Sequence, residues 1–431
     1  MGPIIIFDKS ALESLNPNEA MWLDNFYLTN IVPIFFIETL ADLEKEVARG
    51  RTPESVVGSL AYKTPDMNSK PNVHHKTLLE GELFAGAKLD MQLGRPHVSG
   101  GRTVELDGKT GVIYQQSPEQ EALSRWQKNQ FLDLEHLHAK TWRKALSNLD
   151  LRQYYDAFQQ FFPFGKPKTL DEVKKLVDFH IAESNRGNIL RFGLSFIGLT
   201  KESQEQVIGR WKKEGKKNIR DFAPYFAHVF SVDFFFYLAI AADLISSGRA
   251  SHKIDLAYLY YLPFCMVFTS GDKLHASIAP LFLRENQTFV LGSDLKKDLE
   301  KLNSHYATLP DEIKNRGVVS FATYPPHNDS FLTTKLWDKH MRSGWREHKA
   351  INGPPVETER TKEIMERIRR LREEGVPVAD NRIGLQETDE VIFEHKVYKK
   401  KGDWMRFPPE VNNRRKNEKG EWEDIPPKEA K

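Results

Sequence analysis

Unbroken apolar runs of strand length alternate with helical patterns along this chain, and two of the runs end in acids. Ile4-Ile5-Ile6-Phe7 is one such run, and Asp8 follows it directly. Residues 266–269, Met-Val-Phe-Thr, form another, with Asp272 just beyond. Short continuous apolar runs suit strands covered on both faces, as parallel sheets require. After the first strand, residues 9–15 start a helix. Asn16-Pro17-Asn18-Glu19 reads as a turn and a fresh N-cap, with proline near the first helical position. A helix over 19–28 then turns Met21, Leu23 and Phe26 toward a core. Pro33 opens the stretch 34–44, whose first part reads as a strand and whose second part is helical. Glu38 and Asp42 stand four apart there and share a helical face.

From about Gly50 the pattern changes. Residues 50–120 are rich in Gly, Pro, His and Lys, with strand-like pieces at 102–106 and 111–114 joined by an Asp107-Gly108 hairpin turn. Helical periodicity then dominates 117–247, with helices over 118–147, 151–161, 170–184, 203–213 and 222–247. A turn at 246–251 leads to a helix at 256–262, a tight turn at Pro263 and the second acid-ended strand. A helix at 274–282, a strand at 288–291 and a helix at 295–302 follow. Residues 303–350 look irregular and rich in aromatics, as a segment wrapping the core would be. Residues 357–374 form a strongly charged helix with Ile364, Ile368 and Leu371 on one stripe, and the chain after Gly402 has the composition of a flexible tail. No internal repeat is evident.

The pattern predicts an α/β core with a small parallel sheet flanked by helices, built from 1–50 and 248–302. A large, mostly helical insertion spans 51–247, and a charged C-terminal extension covers 303–431. The 431 residues give room for about two or three domains. Lys and Arg number 62 against 60 Asp and Glu, so any basic surface must be local. The single cysteine, Cys265, lies in an apolar run; no disulfide framework is possible within one chain, which points to the cytoplasm. No signal peptide precedes the first strand. The greasiest run, 234–245, is bounded by Asp233 and interrupted by Asp243, and it is shorter than the ~20 residues of a spanning helix. A buried helix, and no membrane, is the reading.

The acids supply the candidate chemistry: Asp8, Glu38, Asp42, Asp255 and Asp272. Strand-end aspartates of a parallel sheet converge at its carboxyl edge. Carboxylates crowded into one pocket raise one another's pKa unless cations neutralise them. Hard oxygen ligands without a histidine or cysteine pattern suit Mg²⁺ or Mn²⁺, ions that can activate water for phosphodiester cleavage. Asp8-Lys9-Ser10 after the first strand resembles the Asp-x-Ser/Thr opening of the PIN-domain nucleases. Glu38 resembles their helix-borne acid, Asp255 the third acid, and Ser270-Gly271-Asp272 the Thr/Ser-x-Asp that follows a strand. The resemblance covers residues 1–50 and 250–300. It implies metal-binding, catalytic carboxylates at Asp8, Glu38, Asp255 and Asp272, a metal-dependent endoribonuclease activity, and support of the ligands by Ser10 and Ser270, with Asp42 as an extra acid one turn beyond Glu38. The chain departs from the family in the separation of about 200 residues between Glu38 and Asp255, enough for a whole domain. Asp233 and Asp243 are therefore rivals for the third position.

Each acid also has a purely structural reading. Asp8 and Asp255 could cap the helices that follow them, and Asp272 could be a turn residue. Asp42 reads as a salt-bridged helix residue, His275 as a partly buried structural histidine, and His74-His75 lacks a partner at zinc-ligand spacing. An aspartate-nucleophile phosphatase would need a second acid where Ser10 stands. For a substrate surface, the densest basic run is Arg210, Trp211, Lys212, Lys213, Lys216 and Lys217, with Arg220 nearby. Mixed Trp and Lys suits phosphate contact with base stacking, although most such runs are solvated helix faces. RNA is the expected partner, with single-stranded DNA as the alternative and a regulatory protein or a second copy as further candidates. The competing reading is a non-catalytic PIN-like module that binds RNA or a protein.

Overall fold

The computed structural model describes residues 2–91, 94, 101–114, 118–137, 140–141, 167–183, 186–247, 251–347, 359–377, 389–393, 397–407, 414–416 and 422–424. The expected helix at 151–161 lies outside the described residues; the one expected over 118–147 stops at Trp126 and is interrupted over 127–132, and its end lies outside the described residues. The strands of the two larger sheets, in chain order, are β1 (Ile4–Phe7), β2 (Leu28–Ile31), β3 (Ser69–Pro71), β4 (Gly101–Leu106), β5 (Lys109–Tyr114), β6 (Val267–Ser270), β7 (Thr288–Leu291), β8 (Val376–Pro377) and β9 (Glu390–Phe393).

Five of them form one sheet in the order β3-β2-β1-β6-β7, with every neighbouring pair parallel. The apolar run of β1 lies at its centre, and Ile5 and Ile6 are fully buried. Helices cover both faces, as a buried parallel sheet requires. Phe7 stands opposite Thr269 in the register, which sets the residues just past β1 beside the end of β6.

The first two turns of chain match the sequence reading, and the next element corrects it. Asn16 caps the helix Pro17–Phe26 in a full capping box with Glu19. That helix stops at Phe26, and Leu-Thr-Asn-Ile then forms β2, where no strand was expected. Thr29 and Asn30 are fully buried there, so the polarity of the segment conceals its place in the sheet. The stretch expected to begin as a strand at 34 is helical throughout, from Pro33 to Val47. Proline at the start presets a helical φ, and Thr39 returns a hydrogen bond to the Phe35 carbonyl one turn back (2.7 Å). Ser69–Pro71 joins the sheet beside β2.

The helix Pro224–Ala241 is apolar on all sides and buries every residue from Tyr225 to Ile240 except His228. A helix hydrophobic all round belongs in an interior. It is the one helix among the described residues long and apolar enough to cross a membrane, and 83% of it is buried inside the protein. The rings of Phe226, Phe230 and Phe234 stack along one side of it, with centroids 5.9 and 5.5 Å apart. Its core is continuous with that of the sheet. A second sheet, β8-β4-β5-β9, has a small core of its own, where Val104 and Ile113 meet Leu371 of the charged helix Glu359–Glu373.

Residues 303–347 do wrap the core, with more regular structure than their sequence suggests. The helix Leu332–His340 carries Trp337, whose indole N–H donates to the Phe26 carbonyl (2.9 Å). The segment 397–407 corrects the expectation of a loose tail. Trp404 packs edge-on against Trp22 (4.9 Å between centroids), and the Arg406 guanidinium is buried.

Candidate functional site: the polar cluster at the sheet edge

Asp8 leaves β1 directly beside the end of β6 and is buried. Its Oδ1 accepts from the Ala11 N–H (2.8 Å) and so caps the helix Lys9–Ser14. Its Oδ2 accepts from the hydroxyls of Ser10 (2.8 Å) and Ser270 (2.6 Å). A hydroxyl has one proton and two lone pairs. Ser270 spends its proton on Asp8, so the Asp272 N–H (2.9 Å) and His275 Nδ1 (2.8 Å) both donate to it. His275 Nε2 in turn donates to the Asp255 carbonyl (2.6 Å). Both ring nitrogens therefore carry protons, and His275 is an imidazolium 3.4 Å from Asp8.

The electrostatics agree with this count. Burial alone would push the His275 pKa down, but the Asp8 carboxylate beside it, the hydrogen bond to the Asp255 carbonyl and the Asp255 charge hold it at about 9. Burial likewise works against the Asp8 charge, and His275, Ser270 and the Ala11 N–H hold that carboxyl below its ordinary value. Glu38, on the helix Pro33–Val47, behaves differently. Burial pushes it up to about 8; the hydrogen bond from the Tyr258 hydroxyl (2.6 Å) opposes this, and the charges of Asp8 and Asp255 add to it. Asp255 is pushed up to about 7, first by burial and then by Asp272, Asp8 and Asp42, against the pull of His275. Asp42 is desolvated too, but Lys9 (2.7 Å) and Lys45 (3.4 Å) hold it below its ordinary value.

The five acids thus lie near enough to perturb one another, and Asp8, Glu38, Asp42 and Asp272 each meet a donor of the protein's own. Asp272 caps the helix Lys273–Ile278 through the Leu274 N–H (2.5 Å), and Asp255 sits in the first turn of the helix His252–Ala257 without capping it. Among the described residues, no three His, Cys, Asp or Glu side chains are placed to hold a metal ion. This overturns the expected Mg²⁺ or Mn²⁺ site at Asp8, Glu38, Asp255 and Asp272. With it go the metal-dependent nuclease activity and the resemblance to the PIN-domain nucleases. The physical reason is that the cluster resolves its crowding by other means: a proton on Glu38, an imidazolium beside Asp8 and two lysines on Asp42. The rivals do not repair the site. Asp233 is bound by Lys253 (2.5 Å) and the Tyr260 hydroxyl, and Asp243 lies exposed beyond the end of its helix at a positive φ of 60°.

The basic run lies at the end of the helix Lys201–Lys213. Trp211 is buried, and its indole N–H donates to the Lys217 carbonyl (2.7 Å), so it offers no face for a base to stack on. Arg210 lies over the Phe222 ring (4.2 Å) and pairs with Glu214 (3.5 Å). Lys212, Lys213, Lys216 and Lys217 are all exposed. The turn between them uses Gly215 and Lys216 at positive φ (84° and 54°), and the Trp211 bond pins its far end.

Sequence reasoning singled out Asp8, Glu38, Asp42, Asp255, Asp272, Ser10 and Ser270 as members of one site, and it expected a partly buried His275, which is fully buried. It missed Lys9 and Tyr258 as partners of the acids; nothing in their spacing marks them. Fold and cluster together define an α/β scaffold with a closed polar edge and a helical region that displays lysines. No family model matches the chain, and no curated protein or solved structure matches it.

Proposed function

We propose that this chain is a non-catalytic binding module whose partner is RNA, held through Lys212, Lys213, Lys216 and Lys217. The observation that carries the reading is the pinned turn, which presents four exposed ammonium groups while its only tryptophan is turned into the core. Lysines of this kind act as point charges on phosphates and release counterions when they bind. Without an aromatic platform or a bidentate arginine on that turn, contact goes to the backbone and carries little sequence information. The acid cluster supports the same reading, because Asp8, Glu38, Asp42 and Asp272 are engaged by the protein's own donors.

Fluorescence anisotropy with labelled single-stranded RNA tests this. Full engagement of the four lysines predicts a slope of log K against log salt of roughly −3, at about −0.7 per contact for single strands. The Lys212→Ala/Lys216→Ala variant is expected to bind more weakly and to lose roughly 1.4 of that slope. These side chains are exposed, so the fold is retained. Salt-independent binding, or equal affinity in a variant with all four lysines changed to Glu, would contradict the proposal.

A further inference from the structure

The lysine turn is docked on the helix Leu170–Glu183. The Asn218 side chain, which directly follows Lys217, donates to the Ala182 carbonyl near the C-terminus of that helix (2.9 Å). Arg220 pairs with Asp178 one helical turn earlier (2.9 Å). The short helix Ile219–Phe222 packs against the same helix. The turn is therefore held at a fixed place beside residues 178–182. Lys216 and Lys217, next to Asn218 in the chain, are the exposed lysines that adjoin this anchor.

Phe179 lies in that stretch and is 58% exposed; among the described residues no aromatic ring is more so. A singly exposed apolar side chain is ordinary on a protein surface, so what matters is what stands beside it. Phe179 and Ala182 are three residues apart and share a helical face, about 4.5 Å from each other along the axis. The ring thus stands on the side where the lysine turn is anchored. The acid next to it, Asp178, is taken up by Lys174 (2.5 Å) and Arg220, so it is not a bare charge against an approaching phosphate. His180 meets the ring at 83°, with centroids 5.5 Å apart, an edge-to-face contact that steadies it.

We infer that Phe179 is the stacking platform of the RNA site, and that the RNA it takes is single-stranded. The inference rests on RNA being the partner of the lysine turn. The phosphate backbone runs over Lys216 and Lys217 while one base lies flat on the Phe179 ring. Positive charge along the backbone with an aromatic ring beside it is how single strands are held, and any base is accepted because every base has a π-face. In a duplex the bases stack on one another and do not reach a ring on the surface. The platform therefore favours single strands, although a duplex carries the higher charge density. Trp211 is turned into the core, and Phe179 on the neighbouring helix takes the role that the basic run lacks.

Anisotropy with a labelled single-stranded RNA, the RNA duplex of the same sequence and an abasic oligomer of the same length tests this on the full chain and on its Phe179→Ala and Phe179→Trp variants. Phe179→Ala is expected to weaken single-strand binding at least about fivefold, the lower end for one base stacked on an aromatic ring. Its salt slope, and its affinities for the duplex and the abasic oligomer, should match those of the unaltered chain. Phe179→Trp should bind the single strand at least as tightly as the unaltered chain does. The side chain is exposed, so the fold is retained, and unchanged abasic binding reports that directly. An unchanged single-strand affinity in Phe179→Ala would overturn the inference and leave the lysine reading in place. So would equal losses for the single strand and the abasic oligomer. Absence of binding to all three by the unaltered chain would overturn both.

Discussion

Glu38 and His275 both hold a proton in the fold more tightly than they would in an unfolded chain, and both lie in the cluster around Asp8. For Glu38 the ordinary value is 4.5 and the folded value about 8. Its contribution is present below 4.5 and is lost as pH rises through 8. His275, raised from 6.5 to about 9, contributes fully below 6.5 and loses that contribution as pH rises through 9. The two groups should therefore lower stability as pH rises from about 4.5 to 9, most steeply between about 6.5 and 8 where both titrate. Glu38→Gln keeps an acceptor for the Tyr258 hydroxyl and cannot ionise. Urea denaturation at several pH values is expected to show a shallower decline in the variant between about pH 4.5 and 8 and a matching slope above that; an unchanged slope below pH 8 would contradict the assignment. At this scale the sequence exposes whatever follows a strand directly, hence Asp8, Ser10 and Ser270. It conceals Tyr258, which meets Glu38 across 220 residues of chain. No local pattern encodes a contact made only when two distant elements pack.

Elements here borrow their caps from elsewhere in the chain. The helix Pro224–Ala241 begins after Ala223 with no side-chain cap of its own, and Glu82 supplies the missing acceptor to its first N–H groups at 3.0 and 2.7 Å. Asp298 does the same for the helix Leu332–His340 through the N–H groups of Leu332 (2.6 Å) and Thr333 (2.8 Å). Glu82→Ala leaves buried N–H groups unpaired and should cost about 1–3 kcal/mol in urea denaturation. A loss below about 0.5 kcal/mol, the usual range for surface changes, would mean that water caps the helix as well. Periodicity shows the helix at 224–241 in the sequence but not its cap, for the same reason that it hides Tyr258, and it shows neither the helix at 332–340 nor its cap. It also misplaces β2, because Thr29 and Asn30 are polar in a buried strand and Pro33 with its apolar neighbours looks like the better strand.

Across the whole molecule, residues 397–407 return to the beginning of the chain. Arg406 pairs with Asp24 (2.7 Å) and Asp66 (2.6 Å), and Lys401 donates to the Thr64 carbonyl (2.8 Å) between them. Asp24 is fully buried; desolvation opposes its charge, but Arg406 and Lys401 hold its carboxyl well below the usual range. Average composition marks the chain after Gly402 as a tail because its anchoring residues Trp404 and Arg406 are diluted by polar neighbours. Removing one partner of a buried ion pair typically costs about 3–5 kcal/mol. Arg406→Met is expected to lower the urea midpoint accordingly, and an unchanged midpoint would show that the segment does not hold the core. The docked end, the continuous core and the closed acid edge together describe a scaffold that presents its lysine turn outward. The most direct test of that account is to incubate labelled RNA with the protein and with an Asp8→Asn/Glu38→Gln variant in Mg²⁺ and in Mn²⁺, measuring complex by anisotropy and RNA length on a denaturing gel in the same samples. The account predicts that both proteins bind the RNA equally and that it stays intact. RNA cleavage that the variant loses, or no complex with either protein, would contradict it.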